Sequence, residues 1–230
     1  MSEIGKVIEY MNEKKICFIM CVNNDAYEQE QMRYLKRLMI PDGYEIDILS
    51  VRDAVSMTSG YNEGMRASDA KYKVYMHQDV FIVNENFISD LLGIFENEQV
   101  GMVGMVGAPE LPENCIMWNG PRVGKLYFNM IYQSGESVIG EIDGKYQEVE
   151  AIDGLLMATQ YDVSWREDLF DRWDFYDISQ SEEFLRAGYK VVVPNQVHPW
   201  CIHDDGFFNL KNYYNARRVF VKTYKNLKYD

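Results

Sequence analysis

The sequence predicts an α/β protein, with a mainly parallel sheet, helices on both faces and a β-hairpin insertion. Three observations carry that expectation. From Lys14 to Val106, short runs of β-branched and aromatic residues alternate with segments of helical period, the pattern of strands joined by crossover helices and covered on both sides. Two of those runs stop abruptly in polar residues, at Asn23-Asn24-Asp25 and at His77-Gln78-Asp79, so strand ends deliver side chains to one sheet edge, where ligands bind in open α/β sheets. After Pro109 the texture turns loop-like and then alternating, which marks an added segment.

Lys14 to Val22 reads as a first buried strand, and Glu28 to Met39 as a helix with Met32, Leu35 and Met39 on its inner face. Pro41-Asp42-Gly43 is a turn, Tyr44 to Val51 a second strand, Ser56 to Ser68 a second helix and Tyr72 to Met76 the third strand;. Asn86 to Phe95 makes a helix burying Phe87, Leu91, Ile94 and Phe95, and Val100 to Val106 a further strand. The insertion, about 110–150, contains alternating residues from Lys125 to Ala151 and the turn pair Asp143-Gly144, which suggests an antiparallel hairpin;. Ser179-Gln180-Ser181-Glu182 fits a capping box opening a short helix, Gly188 closes it, and Tyr189 to Val193 follows as a strand;. A main domain thus covers 1–205. At 206–230, Tyr213, Ala216, Phe220, Tyr224 and Leu227 give an amphipathic C-terminal helix;.

With 230 residues, 47% of them hydrophobic, the chain can bury a sizeable core as one domain;. Its formal net charge of −13 argues against nucleic acid as a partner, because a phosphate backbone is repelled;. Basic residues gather only at the end, where Lys211, Arg217, Arg218, Lys222, Lys225 and Lys228 face the single acid Asp230. That segment either packs on the body, the preferred reading, or docks on an anionic membrane surface or a partner in a polysaccharide-assembly complex. Cys17, Cys21, Cys115 and Cys201 form no C-x-x-C pair and read as reduced thiols of a cytoplasmic protein. The longest apolar stretch, Ile16 to Val22, is far too short to span a bilayer, and no export signal is recognisable at the start;.

A carboxylate at a strand tip is a natural anchor for a divalent cation, which singles out Asp79. Val22-Asn23-Asn24, Asn62-Glu63-Gly64, His77-Gln78-Asp79, and Asp153-Gly154 with Phe175-Tyr176-Asp177 together resemble a glycosyltransferase of the GT-A fold, family 2, in its streptomycin-biosynthesis-type branch. The resemblance spans roughly Ile16 to Asp205 and rests on order and spacing, since each motif alone is degenerate. It implies an inverting transferase that takes a nucleoside-diphosphate sugar as donor and a carbohydrate or other hydroxyl as acceptor. It also implies a divalent metal, Mn2+ or Mg2+, on Asp79, the second acid of the family's Asp-x-Asp. His77 replaces the first acid, and an imidazole biases the site toward Mn2+. His203 is the second expected ligand, with His198 as rival. Asp53, Asn23 and Asn24 are expected at the base or ribose, and Asn62, His77 and Gln78 join them around the donor.

By the same resemblance Asp177, at the offset of the family's catalytic acid from the helix-ending Gly188, is the general base, with Asp174 as fallback; the family's preceding Glu is Tyr176 here. Asp153 and Gly154 form the acceptor-side turn. Of Trp118, Trp173 and Trp200, any of which offers a face to a sugar ring, Trp173 is preferred because it lies nearest Asp177. A competing reading, motivated by the departures at His77 and Tyr176, is a catalytically inactive nucleotide-binding or scaffolding protein of the same fold. A nucleotidyltransferase is disfavoured, since Asn23-Asn24-Asp25-Ala26 is not a Gly-rich phosphate cradle;.

Overall fold

The computed structural model describes residues 11–204 and 210–225; Asp205, Leu227, Lys228 and Asp230 lie outside them. The chain opens with β1 (Asn12–Val22), α1 (Asp25–Leu35), β2 (Glu45–Arg52), α2 (Met57–Ala67) and β3 (Ala70–Met76). β1 lies between β2 and β3, which both run parallel to it. Its side chains alternate across the sheet: Phe18 and Met20 enter one core with Phe87 and Leu91, while Cys17 and Ile19 enter another with α2;. Asn24 caps α1 by accepting from the Ala26 and Tyr27 amides, which starts the helix earlier than the apolar spacing suggests; the helix ends at Leu35, and Met39 is exposed beyond it. Ser56 and Ser59 close a capping box on α2;.

β4 (Val80–Ile82), α3 (Phe87–Phe95), β5 (Val100–Gly104) and β6 (Val106–Ala108) follow. The expected strand from Val100 to Val106 is therefore two strands in different sheets, broken at Met105. β7 (Val123–Met130) and β8 (Gln133–Ile139) form the insertion's hairpin. Its turn lies at Ile131-Tyr132, between Met130 and Gln133. Asp143-Gly144 instead makes a later loop in which Gly144 adopts a φ of 82°. Both are plausible turn sites, and the pairing of Lys125–Met130 with Gln133–Val138 decided between them.

β9 (Tyr146–Glu148), β10 (Ala151–Ile152), β11 (Leu156–Thr159), α4 (Tyr176–Arg186), β12 (Lys190–Pro194), β13 (Cys201–His203) and α5 (Tyr213–Phe220) complete the chain. The main sheet runs β2-β1-β3-β11-β5-β12-β9. As expected it is mainly parallel, with β2, β1, β3, β5 and β12 running the same way, while β11 inserts antiparallel between β3 and β5 and β9 lies antiparallel to β12. The residues of β11 are buried throughout, so its sequence signals burial without direction. A second sheet, β10-β6-β7-β13-β4 with β8 on β7, was not foreseen. The apolar face of α5 and the turn after it packs on the body: Tyr213, Phe220, Val221 and Tyr224 join Ala108, Phe170, Phe175 and Ile178. No helix among the described residues is long and apolar enough to cross a membrane.

Candidate functional site

Three residues, His77-Gln78-Asp79, bridge β3 in the main sheet to β4 in the second. β13 pairs antiparallel with β4, setting His203 opposite Val80, and the Asp204 amide donates to the Asp79 carbonyl at 2.9 Å. That register carries a residue more than a hundred positions away to Asp79. His203 Nε2 and His77 Nδ1 each stand 3.8 Å from Asp79 Oδ1, and one ligand atom from each of the three lies within 4.8 Å of the others. His198, the rival, is exposed in the loop before β13 and belongs to no such group among the described residues.

Asp79 Oδ1 is buried and has no hydrogen-bond partner. A buried carboxylate oxygen in that position carries a desolvation penalty that a bound cation relieves. Burial pushes the Asp79 carboxyl up and the His77 imidazole down to about 4, so His77 is neutral at pH 7 and keeps a lone pair for coordination. Two imidazole nitrogens and one carboxylate fit a divalent ion that tolerates nitrogen ligands;.

Several residues expected at the donor do structural work. Gln78 Oε1 accepts from the Asn23 and Asn24 amides at 3.0 Å each, while its Nε2 donates to Asn23 Oδ1 at 2.6 Å. The Asn24 side chain caps α1. Gln78 therefore ties the loop after β1 to the tip of β3. Asp53 is exposed at the end of β2 with a left-handed φ of 58°, open to a ligand. Asn62 does not reach the edge: it is buried on α2, donating to the Trp165 carbonyl and accepting from the Trp165 amide, both at 2.9 Å. A strand-proximal Asn and a core clip look the same in sequence. Asn62→Ala should lower stability by about 2–4 kcal/mol through the orphaned Trp165 groups, a fall of about 5–12 °C in melting temperature. A fall under about 2 °C with lost nucleotide binding would return Asn62 to the ligand.

α4 begins at Tyr176, immediately after Phe175, whose φ of 61° is strained for an aromatic residue;. Ser179 and Ser181 are thus buried inside the helix and do not cap it; Ser181 Oγ donates to the Asp177 carbonyl and accepts from the Ile152 amide. Asp177 sits in the first turn. Its Oδ2 accepts from the Gly154 amide at 3.0 Å and its Oδ1 from the Ile178 amide at 2.8 Å. Burial, with the charge of Asp153 adding to it, raises the Asp177 carboxyl to about 7. The Asp153-Gly154 turn reaches this point because β11 pairs with β3 and the His77 amide donates to the Leu155 carbonyl. A Cβ on Gly154 would collide with the Tyr176 hydroxyl, which itself hydrogen-bonds His77 Nε2. Sequence reasoning missed that bond, which joins helix to strand tip across 99 positions.

Trp173, just before α4, is 47% exposed and Trp118, beside Tyr213, 45%, whereas Trp200 is buried in the core. Burial raises the Asp174 carboxyl as well. On the flank, a cleft of about 530 Å³ opens beside Asp204, lined by Tyr34, Phe81, Tyr127, Phe128 and Glu136 between α1 and the β7–β8 hairpin.

A family model described as a glycosyltransferase-like family matches residues 17–224. No curated protein matches the chain in sequence. Among solved structures, the chain is similar to the mannosyltransferase PcManGT from Pyrobaculum calidifontis in complex with GDP-Man and Mn2+, at 12% identity and a TM-score of 0.58, covering 96% of this chain and 67% of that one. S. aureus TarS residues 1–349 in complex with UDP-GlcNAc is similar at 8% identity and a TM-score of 0.61, covering 94% of this chain and 68% of that one. Likeness at this identity concerns the fold, which is GT-A.

Proposed function

The chain belongs to the glycosyltransferase-like family, and from that premise we propose that it transfers a sugar from a nucleoside-diphosphate sugar to a hydroxyl of a carbohydrate or other acceptor, with inversion. The observation that carries this reading is that the first turn of α4 holds both Asp177, whose carboxyl is raised to about 7, and Tyr176, which hydrogen-bonds His77 of the group His77, Asp79 and His203. Neighbours of the same fold hold GDP-Man with Mn2+ and UDP-GlcNAc, which supports a nucleotide-sugar donor and a metal. The streptomycin-biosynthesis-type branch is part of the same proposal and rests on motif order alone. The unpaired cysteines agree with a reducing, cytoplasmic setting.

His77 Nδ1, Asp79 and His203 Nε2 would hold the divalent ion, which supplies Lewis-acid stabilisation of the departing diphosphate. Asp53 and the Asn23–Asn24 loop, braced by Gln78, would receive the nucleoside. Asp177 takes the proton of the acceptor hydroxyl at a carboxylate oxygen as that hydroxyl attacks the anomeric carbon opposite the leaving group. The Gly154 and Ile178 amides hold the carboxylate in place. The acceptor enters between the hairpin insertion and Asp153, with Trp173 offering its face to a sugar ring. Trp173→Ala is expected to raise the acceptor KM about 2- to 10-fold and leave the donor KM unchanged; equal effects on both would remove Trp173 from the acceptor site. What favours turnover over an inert scaffold is that the two departures, His77 and Tyr176, bond to one another. The test is release of nucleoside diphosphate from UDP-, GDP-, CDP- and dTDP-sugars with Mn2+. Release from one class supports the transferase, and release from none contradicts it.

A further inference from the structure

We infer that Tyr176 is a positioning residue for the metal, fixing His77 so that Nδ1 faces the centre with Asp79 and His203. The inference rests on the metal reading above. The Tyr176 hydroxyl is hydrogen-bonded to His77 Nε2, and His77 Nδ1 is the nitrogen that stands 3.8 Å from Asp79 Oδ1. An imidazole that gives its Nδ1 lone pair to a cation carries its proton on Nε2, and that N–H requires an acceptor. The Tyr176 oxygen is the acceptor. It fixes the tautomer and ring orientation, as partners of metal-bound histidines do.

The hydroxyl is itself firmly aimed. The Tyr176 ring packs at 6.0 Å from Tyr61 and 6.4 Å from Trp165, and Trp165 is held by both amide atoms of Asn62. On another side lies Gly154, where any side chain would displace the hydroxyl. Tyr176 and Asp177 are adjacent in the first turn of α4, so one helix turn sets the metal ligand and the base together.

Calorimetric titration with Mn2+ alone tests this on wild type, Tyr176→Phe, His77→Ala and the double variant. Tyr176→Phe should weaken Mn2+ binding by about 10- to 100-fold and should weaken it no further when His77 is already alanine, because the two act as a unit. Gly154→Ala, which pushes on the same hydroxyl, should also weaken binding and provides a second reading if Tyr176→Phe fails to fold. Wild-type Mn2+ binding that is lost in Asp79→Asn yet unchanged in Tyr176→Phe overturns the positioning role and leaves the metal centre intact. So does an equal loss from Tyr176→Phe with and without His77, which would mark a merely structural contact. No Mn2+ binding by the wild type overturns the metal centre and this role with it.

Discussion

Asp177→Asn is expected to lower kcat by about a hundred- to ten-thousand-fold, while the affinity for nucleoside diphosphate stays within about twofold of wild type. The loss is large because a general base contributes only in the transition state, where the acceptor proton is moving. Affinity is spared because Asp177 is held by the Gly154 and Ile178 amides and belongs to no metal-binding group among the described residues. The same residue sets a pH profile. Its carboxyl is raised to about 7, chiefly by burial, and only the ionised form accepts a proton. The rate should therefore rise about tenfold per pH unit below 7 and level off above it, and Asp177→Asn should flatten that limb. A wild-type profile flat from pH 5 to 8, or an Asn variant with full turnover, would move the base elsewhere, Asp174 being the next candidate.

Asp79→Asn should weaken Mn2+ binding by more than about a hundredfold, because it removes the single carboxylate facing two imidazoles;. It should also stabilise the metal-free protein. Burial raises the Asp79 carboxyl, so the fold favours its protonated form. The stability this contributes is complete below the ordinary value of 3.8 and is lost as pH rises through the raised one. Asp79 Oδ1 is buried without a hydrogen bond, so a neutral amide there should stabilise the metal-free fold by about 1 kcal/mol, or about 2–4 °C in melting temperature. Lower metal affinity with a higher metal-free melting point is the signature of a carboxylate kept for a ligand; a fall in both would mean that Asp79 holds the fold together.

The strand tips were legible in the sequence because a buried strand ending in polar residues has few other readings, and Asp79 does lie just beyond the end of β3. His203 was reachable only through the resemblance, since the β4–β13 register that brings it to Asp79 is a non-local pairing with no local signal. The direction of β11 and the existence of the second sheet escaped notice for the same reason. The backbone bonds of Asn62 and Gln78 were not legible, because an amide clipping backbone and an amide awaiting a ligand have the same side chain; only the fold shows the partners at Trp165, Asn23 and Asn24. The departures at His77 and Tyr176 looked in sequence like two separate losses, whereas in the fold they are the two ends of one hydrogen bond.

The most direct test of the central claim is a thermal-shift panel of UDP, GDP, CDP and dTDP, each with and without Mn2+ or Mg2+, on wild type and Asp79→Asn. At about a hundredfold over Kd, binding should add about 2.7 kcal/mol, a rise of about 5–10 °C for a domain of this size. The rise is expected for one nucleotide class, dependent on metal, stronger with Mn2+ than with Mg2+, and lost in Asp79→Asn. No rise with any nucleotide under either metal would contradict the claim.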